Sequence, residues 1–287
     1  MEDQRSRAES PGSPRRVMLL ASARTGSNLL LSLLSGHPRI KTYGEVFNLD
    51  ALPDESLCAA LEDPQRYLEA RVSGPYRPGT SVVVFKMFYY HLRPPYVDPA
   101  SKTFYTLHHL QDRSARVSAI RGRDRDWSAY YPRWQRLWES LIADRELDVL
   151  HLQRCNMLDT LVSMKMAHQT NQWWRVTRDN APPVRMRLDP EECVEYFEEL
   201  ATLSEDADRS FAGHHRFTVT YEAMVQRQAE TLSQIFEFLG VPWHSVSTRM
   251  KKQLVAPIPA IVENYDEIRE HCRQTQWMHF FNQGVVA

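Results

Sequence analysis

The chain has 287 residues, of which 43% are hydrophobic and 25% charged, and its formal net charge at pH 7 is −1. These proportions are typical of a globular protein and exclude a disordered, collagenous or coiled-coil chain. A net charge near zero gives no bulk attraction to nucleic acid or to an anionic membrane, so neither is expected as a partner. The length suits one large α/β domain or two small ones.

The N-terminal residues and the cysteines indicate the compartment. Residues 1–16 are polar and rich in Arg and Ser, which predicts a disordered tail before a single domain over residues 17–287. The apolar run Val17–Ala23 mimics a secretory signal, but its seven residues are at the short limit for one.

The four cysteines have neither a CxxC pair nor zinc-ligand spacing, which favours reduced thiols, no metal and a cytoplasmic location. No apolar run approaches the roughly 18 residues of a membrane span.

Segments typical of strands and helices alternate along the rest of the chain. Short apolar runs predict strands at Val17–Ser22, Val82–Met87, Leu147–Leu152 and Phe217–Thr220. Helical periodicity and end signals predict helices at Ser27–Ser35, Trp127–Arg145, Asn156–Trp174, Asp189–Phe211, Glu230–Leu239 and Ala260–Cys272. This order predicts an α/β fold with a central, mainly parallel sheet flanked by helices on both faces, and ligands at the carboxyl ends of its strands. The polar segment 94–126 is predicted to be an irregular excursion on the acceptor side.

The first predicted strand runs into a turn that suits an anion. Ser22–Asn28 contains one glycine and several hydroxyl residues, and a leucine-rich helix follows. This order aims backbone N–H groups and the positive end of a helix at a bound anion, and Gly26 lets the backbone come close. A plain strand–helix turn capped by Ser27 is the alternative interpretation. The turn is not an ATP- or GTP-binding loop, because that motif needs a Lys after its last Gly and Ser27 stands there.

A second group of polar residues follows the strand predicted at Leu147–Leu152. Arg154 lies at its carboxyl end, where ligands bind in parallel sheets. Asn156, Asp159 and Ser163 lie on one face of the helix that follows. Taken singly, a surface ion pair for Arg154 and a solvent-facing position for Ser163 are the simpler interpretations.

The sequence ASARTGSNLLLSLLSGHPRIKTYGEVF at Ala21–Phe47 resembles the opening of the sulfotransferases that use 3′-phosphoadenosine 5′-phosphosulfate (PAPS). It is most similar to the bacterial carbohydrate type, which includes the trehalose and nodulation-factor enzymes. Thr218–Met224 and Val262–Phe281 resemble later motifs of the same family, whereas the middle of the chain is poorly matched. The resemblance implies a P-loop-containing nucleoside triphosphate hydrolase-like fold, PAPS as co-substrate, 3′,5′-ADP as product and no metal.

The family motifs imply roles for particular residues of this chain. The turn that holds the 5′-phosphosulfate corresponds to Arg24, Thr25, Gly26, Ser27 and Asn28, and Asn28 replaces the Thr of many members. The Arg-x₈-Ser pattern that grips the 3′-phosphate corresponds to Arg154 and Ser163. Tyr221 corresponds to a residue beside the adenine, with a core tyrosine as the alternative. Lys252, together with Lys251 and Gln253, is expected to close over the nucleotide phosphates, with a solvated basic face as the alternative.

Sulfuryl transfer requires positioning, charge stabilisation and a base for the acceptor hydroxyl. The resemblance makes Glu45 the predicted base, with an ion pair to Arg24 or to an acceptor-site arginine as the alternative. Arg24 is predicted to neutralise the leaving bridging oxygen, and Lys86 is a candidate second cation. His91 is the alternative base, because an unperturbed imidazole titrates near neutral pH.

An aromatic stripe at helical spacing bears on the acceptor. It consists of Trp127, Tyr130, Tyr131, Trp134 and Trp138. Such a stripe suits either stacking on sugar rings or packing in a core. With the resemblance, the expected acceptor is a small-molecule or glycan hydroxyl, foremost that of a carbohydrate or glycolipid. A non-catalytic nucleotide-binding or partner-binding module on the same fold, and a small-molecule kinase, are the alternative functions.

Overall fold

The computed structural model describes residues 13–48, 51–92, 97–98, 103–104, 131–173, 184–250 and 256–282. Its strands are β1 Arg15–Ala21, β2 Ile40–Glu45, β3 Val82–Phe88, β4 Val97–Asp98, β5 Thr103–Phe104, β6 Asp148–Gln153 and β7 Arg216–Thr220. Within the described ranges, five strands form one sheet in the order β2-β3-β1-β6-β7, and each neighbouring pair is parallel. A separate antiparallel pair joins β4 to β5.

Helices cover both faces of this sheet, as the alternation of predicted strands and helices requires. They are α1 Ser27–Ser35, α2 Asp54–Glu62, α3 Pro64–Val72, α4 Tyr89–Leu92, α5 Tyr131–Ala143, α6 Met157–Thr170, α7 Pro190–Ser210, α8 Tyr221–Gln226, α9 Gln228–Leu239, α10 Ile258–Ile261 and α11 Tyr265–His271. A 3₁₀ helix at Gln276–Phe281 follows. The predicted fold class, an α/β fold with a central parallel sheet flanked by helices on both faces, is confirmed.

The alternation of side chains along the strands divides the core into two parts. On β3, Val83, Phe85 and Met87 face a core built with α5 and α7. Val82 and Val84 face the opposite core, which α1 and α9 complete. A strand that is buried on both faces reads as a continuous apolar run, which is why this strand was recognisable in the sequence.

Among the predicted elements that the structure corrects are a helix near the C-terminus and the first strand. The single helix expected at Ala260–Cys272 is wrong, because two short helices, α10 and α11, stand there. Met186 explains the break: its N–H donates to the carbonyl of Ile261 at 2.9 Å, and its carbonyl accepts from the N–H of Glu263 at 2.9 Å. Backbone groups bonded to a distant segment in this way do not continue a helix. Strand β1 also begins at Arg15, two residues before the predicted start.

The predicted aromatic stripe belongs to the core where the structure describes it. Trp134 is buried with its ring 4.8 Å from that of Phe47, and Trp138 packs edge-on against Phe211 at 5.4 Å. These two residues therefore follow the core interpretation. Trp127 and Tyr130 lie outside the described residues, as does segment 94–126 apart from β4 and β5.

The parallel arrangement gathers polar residues at one edge of the sheet. Because all five strands run in one direction, their carboxyl ends meet at the same edge. In sheet order this edge carries Glu45 at the end of β2, Lys86 near the end of β3, the Ser22–Gly26 turn after β1, Arg154 after β6 and Tyr221 after β7.

Candidate active site

The turn between β1 and α1 presents an open helix start. Arg24 and Gly26 have left-handed backbones, with φ of +65° and +87°. The Thr25 hydroxyl donates to the carbonyl of Ser22 at 2.7 Å, so it closes the turn rather than facing a ligand. Gly26 is the N-cap of α1, and no side chain caps the first N–H groups. The interpretation in which Ser27 caps the turn is therefore wrong, and the uncapped N–H groups suit an anion.

Tyr221, the first residue of α8, packs directly on this turn. A Cβ added to Gly26 would lie 2.5 Å from Cδ2 of the Tyr221 ring, so the turn has room only for glycine. The guanidinium carbon of Arg154 lies 4.7 Å from the centre of the same ring, a cation–π contact. The tyrosine ring therefore connects the turn to Arg154.

Arg154 is nearly buried and is also bonded to the turn. It donates from Nη1 to the carbonyl of Arg24 at 3.2 Å and from Nη2 to Asp159 at 2.8 Å. Its Nε is buried and has no hydrogen-bond partner among the described residues. A buried N–H of a charged group normally has a partner, and the oxygen of a bound anion would supply one here.

Arg24 extends from the turn to the predicted second phosphate site. Its Nε donates to the hydroxyl of Ser163 at 3.0 Å, and its Nη1 donates to the carbonyl of Trp173 at 2.6 Å. Burial and the nearby charge of Arg154 lower the pKa of Arg24 to about 10. Arg154 and Ser163, which the sequence predicted to act together, thus meet through Arg24. Two guanidinium groups held this close attract a phosphate or sulfate group.

A second cluster surrounds Glu45. The Lys86 ammonium donates to Oδ1 of Asn28 at 2.6 Å and lies 3.6 Å from Oε2 of Glu45. Nε2 of His91 lies 3.5 Å from Oε1 of the same carboxylate. Burial lowers the pKa of Lys86, and the Glu45 carboxylate opposes that effect. Lys86 therefore links the carboxylate to the turn through Asn28.

An irregularity in β2 places Glu45 on this face of the sheet. The register against β3 shifts between Tyr43 and Glu45, so that Glu45 lies opposite Lys86 and Gly44 is the extra residue. In a regular register Glu45 would lie opposite Met87 and would point to the other face, because successive side chains alternate. A glycine inside a strand is the sequence signal for such a bulge.

The structure brings the predicted residues that it describes to this one edge. Residues 24–28 form the turn, and Arg154 and Tyr221 contact it directly. Ser163 is bonded to the Arg24 side chain, and Glu45 is connected through Lys86 and Asn28. Lys252, with Lys251 and Gln253, lies outside the described residues.

Two contacts of the site were missed by sequence reasoning. The bond from Arg24 to the Trp173 carbonyl uses a backbone group, which carries no sequence signal. The bond between Lys86 and Asn28 had a weak signal, because Lys86 interrupts the apolar strand VVVFKMF. A charge inside a buried strand requires a polar partner.

Three further features of the described residues concern their thiols, the hydrophobicity of their helices and their metal-binding groups. All four cysteines are free thiols, as expected. None of the described helices combines the length and the hydrophobicity that a membrane crossing needs. Within the same ranges, no three His, Cys, Asp or Glu side chains form a group able to hold a metal ion.

Comparison with known proteins gives consistent matches. A sequence model described as the sulfotransferase family matches residues 15–245. Nodulation protein H of Rhizobium tropici is 26% identical over 273 residues, which cover 94% of this chain and 94% of that protein. Nodulation protein H of Rhizobium meliloti is 24% identical, with 93% of this chain and 95% of that protein covered. A solved sulfotransferase from Alicyclobacillus acidocaldarius has a TM-score of 0.47 at 14% identity, with 93% of this chain and 92% of that chain covered.

Proposed function

Because this chain belongs to the sulfotransferase family, we propose that it transfers the sulfuryl group of PAPS to a hydroxyl of a carbohydrate or glycolipid. One observation carries the choice of donor: at the turn that leads into the uncapped start of α1, Arg154 donates to the Arg24 carbonyl and Arg24 donates to Ser163. Membership of the family agrees with the predicted class of enzyme, a sulfotransferase.

The donor is a nucleotide with a phosphate on each side of its ribose, and the site offers cationic groups for both. The N–H groups at the start of α1, with Ser27 and Asn28, suit the 5′-phosphosulfate. Arg154, with its unpartnered Nε, and Ser163 suit the 3′-phosphate. Arg24 belongs to the turn and is bonded to Ser163, so its charge serves both groups.

The transfer itself asks the protein for positioning and charge stabilisation. The acceptor oxygen attacks sulfur, the bond from sulfur to the bridging oxygen breaks, and the acceptor proton passes to the Glu45 carboxylate. Negative charge then builds on the bridging oxygen of the departing 3′,5′-ADP, where Arg24 neutralises it, with Lys86 as a second cation. Lys86 suits this role because it contacts both Asn28 of the turn and Glu45.

The acceptor class is supported by likeness rather than by the geometry of the site. Ala21–Phe47 resembles the bacterial carbohydrate sulfotransferases, and proteins named nodulation protein H are similar to this chain over nearly its whole length. Incubating a cell extract with the protein and PAPS carrying radioactive sulfur, and identifying the labelled product, tests this part of the proposal. Label in a carbohydrate or glycolipid supports it, and label in another class of molecule overturns it.

The donor assignment is tested by calorimetric titration with 3′,5′-ADP and 5′-AMP. A charged hydrogen-bonding group contributes about 1.5–3 kcal/mol, so the 3′-phosphate should raise affinity by about 10–100-fold. Arg154→Gln should remove most of that preference. Arg187→Gln, which removes an exposed arginine paired with Glu267, is the matched control and should leave it intact. Equal affinity of the unmodified protein for both nucleotides would refute the roles of Arg154 and Ser163.

The base assignment is tested by Glu45→Gln, which keeps the size of the side chain and removes its charge. Loss of a general base lowers kcat by about 10²–10⁴-fold, whereas 3′,5′-ADP should bind as before. Glu205→Gln changes an exposed carboxylate paired with Arg209 and serves as the control. A protein that binds 3′,5′-ADP but labels no acceptor would instead indicate a binding module without catalysis.

A further inference from the structure

His91 is held in one orientation by the backbone beside it. The ring follows β3 in the short helix α4 and is 1% exposed. Its Nδ1 accepts a hydrogen bond from the N–H of Phe88 at 3.2 Å. Because a backbone N–H only donates, Nδ1 carries a lone pair, and the proton of the neutral ring is on Nε2.

Nε2, the nitrogen that carries this proton, is the ring nitrogen close to the carboxylate of Glu45. It lies 3.5 Å from Oε1, and the ammonium of Lys86 lies 3.6 Å from Oε2, so each oxygen has a different nitrogen beside it. Rings of Phe88 and Tyr90 flank the imidazole at 5.2 and 4.9 Å. The ring is therefore confined on its sides, with its protonated nitrogen beside the carboxylate.

The charges around the imidazole keep it neutral. Burial, and then the positive charge of Lys86, lower the pKa of His91 to about 3. Glu45 from β2 and Lys86 from β3 are the charged groups facing it among the described residues, and Arg24 acts in turn on Lys86. In the neutral ring the basic lone pair is on Nδ1, where it accepts from the backbone. The ring therefore has no free lone pair with which to take a proton from an acceptor hydroxyl. His91 is thus suited to donate to a base and unsuited to be one.

We propose that His91 is a positioning residue that holds the Glu45 carboxylate towards the acceptor hydroxyl through its Nε2–H. This inference rests on the proposed role of Glu45 as the general base. The proton taken from the acceptor goes to Glu45, and His91 keeps its own proton throughout. An N–H close to the carboxylate favours the charged form of Glu45, so His91 also keeps the base ionised at lower pH.

Kinetics of His91 variants test the role. His91→Leu removes the donor and should lower kcat by about 10–100-fold, the range for a hydrogen bond to a charged group. It should also move the acidic limb of the pH–rate profile to higher pH and leave the affinity for 3′,5′-ADP unchanged. His91→Gln carries an amide N–H and should restore much of kcat. Unchanged kcat and pH profile in His91→Leu would overturn the proposal.

The chain offers a closely matched control in His37. This ring is also 1% exposed, and its Nδ1 accepts from the N–H of Arg39 at 3.1 Å. Its Nε2 bonds the carbonyl of Pro242 at 2.9 Å instead of a carboxylate. His37→Leu therefore reproduces the loss of a buried histidine without touching Glu45, and it should leave the pH profile unchanged.

A spectroscopic measurement separates this inference from the proposed function. Nitrogen-15 NMR of labelled histidine in the unmodified protein should show His91 protonated on Nε2 alone and neutral at pH 5. A ring protonated on Nδ1, or charged at pH 7, overturns the inference even if the enzyme transfers sulfate. Full activity of Glu45→Gln would overturn the role of the base while leaving the NMR result standing.

Discussion

Gly26→Ala probes the contact between the turn and the Tyr221 ring, on which the proposed donor site depends. Glycine at this position has a φ of +87°, and an added Cβ would meet the Tyr221 ring at 2.5 Å and Cε of Met224 at 3.3 Å. Gly79 has nearly the same φ, +84°, but a Cβ there meets nothing within 4 Å among the described residues. The two substitutions therefore share the backbone strain and differ in the steric clash.

The expected losses of stability follow from the backbone strain and the steric clash. Alanine in the left-handed region costs about 1–2 kcal/mol at either position. Relieving the clash at Gly26 moves the Tyr221 ring or the turn, and overpacking of this kind costs about 1–3 kcal/mol more. Gly79→Ala should thus lower the free energy of unfolding by about 1–2 kcal/mol, and Gly26→Ala by about 2–5 kcal/mol. A displaced ring also loses its contact with Arg154, so the affinity for 3′,5′-ADP should fall at least about tenfold.

Urea denaturation gives the stabilities, and calorimetric titration gives the affinities for 3′,5′-ADP. Combining Tyr221→Ala with Gly26→Ala removes the ring that the new methyl group meets, so the double variant should lose less free energy of unfolding than the sum of the two single losses. Equal losses for Gly26→Ala and Gly79→Ala, together with normal binding of 3′,5′-ADP by both, would refute the reasoning about this contact.

Three further predictions concern a helix cap, a histidine and a thiol. Asn156→Ala removes the N-cap of α6 and the hydrogen bond from its Nδ2 to the carbonyl of Phe280. Urea denaturation should show that the free energy of unfolding falls by about 2–4 kcal/mol, and a fall of under about 1 kcal/mol would contradict this. His91 stays neutral in the folded chain down to a pKa of about 3 and protonates near 6.5 when unfolded, so the unfolded state binds more protons in acid. The free energy of unfolding should therefore fall from pH 7 to pH 5 by about 2 kcal/mol more in the unmodified protein than in His91→Gln. The same fall in both proteins would contradict this prediction. Burial and Glu222 raise the pKa of Cys155 to about 11. Alkylation of this thiol at pH 8 should therefore be slow, and it should be faster in Glu222→Gln. An unchanged rate of alkylation in that variant would rule out the carboxylate as a cause of the raised pKa.

Short-range signals in the sequence determined the elements that carry the proposed donor site. The apolar run, the glycine and the leucine-rich segment lie within 21 residues of each other, from Arg15 to Ser35. They predicted α1 at its observed bounds, and they predicted β1 to within two residues at each end. Asn156 likewise caps the helix that was predicted to start there, and the helix that was predicted to end at Leu239 ends at that residue. Periodicity and capping act over one or two turns of chain, so a sequence alone shows them.

Contacts between distant segments were decided only by the tertiary structure. Arg24 is bonded to Ser163, 139 residues away, because β1 and β6 are neighbours in the sheet. Glu45 faces Lys86 because a one-residue bulge at Gly44 reverses the face on which it lies. Strand order and register result from the packing of the whole core, so the candidate residues of the site are recognisable in the sequence while their partners are not.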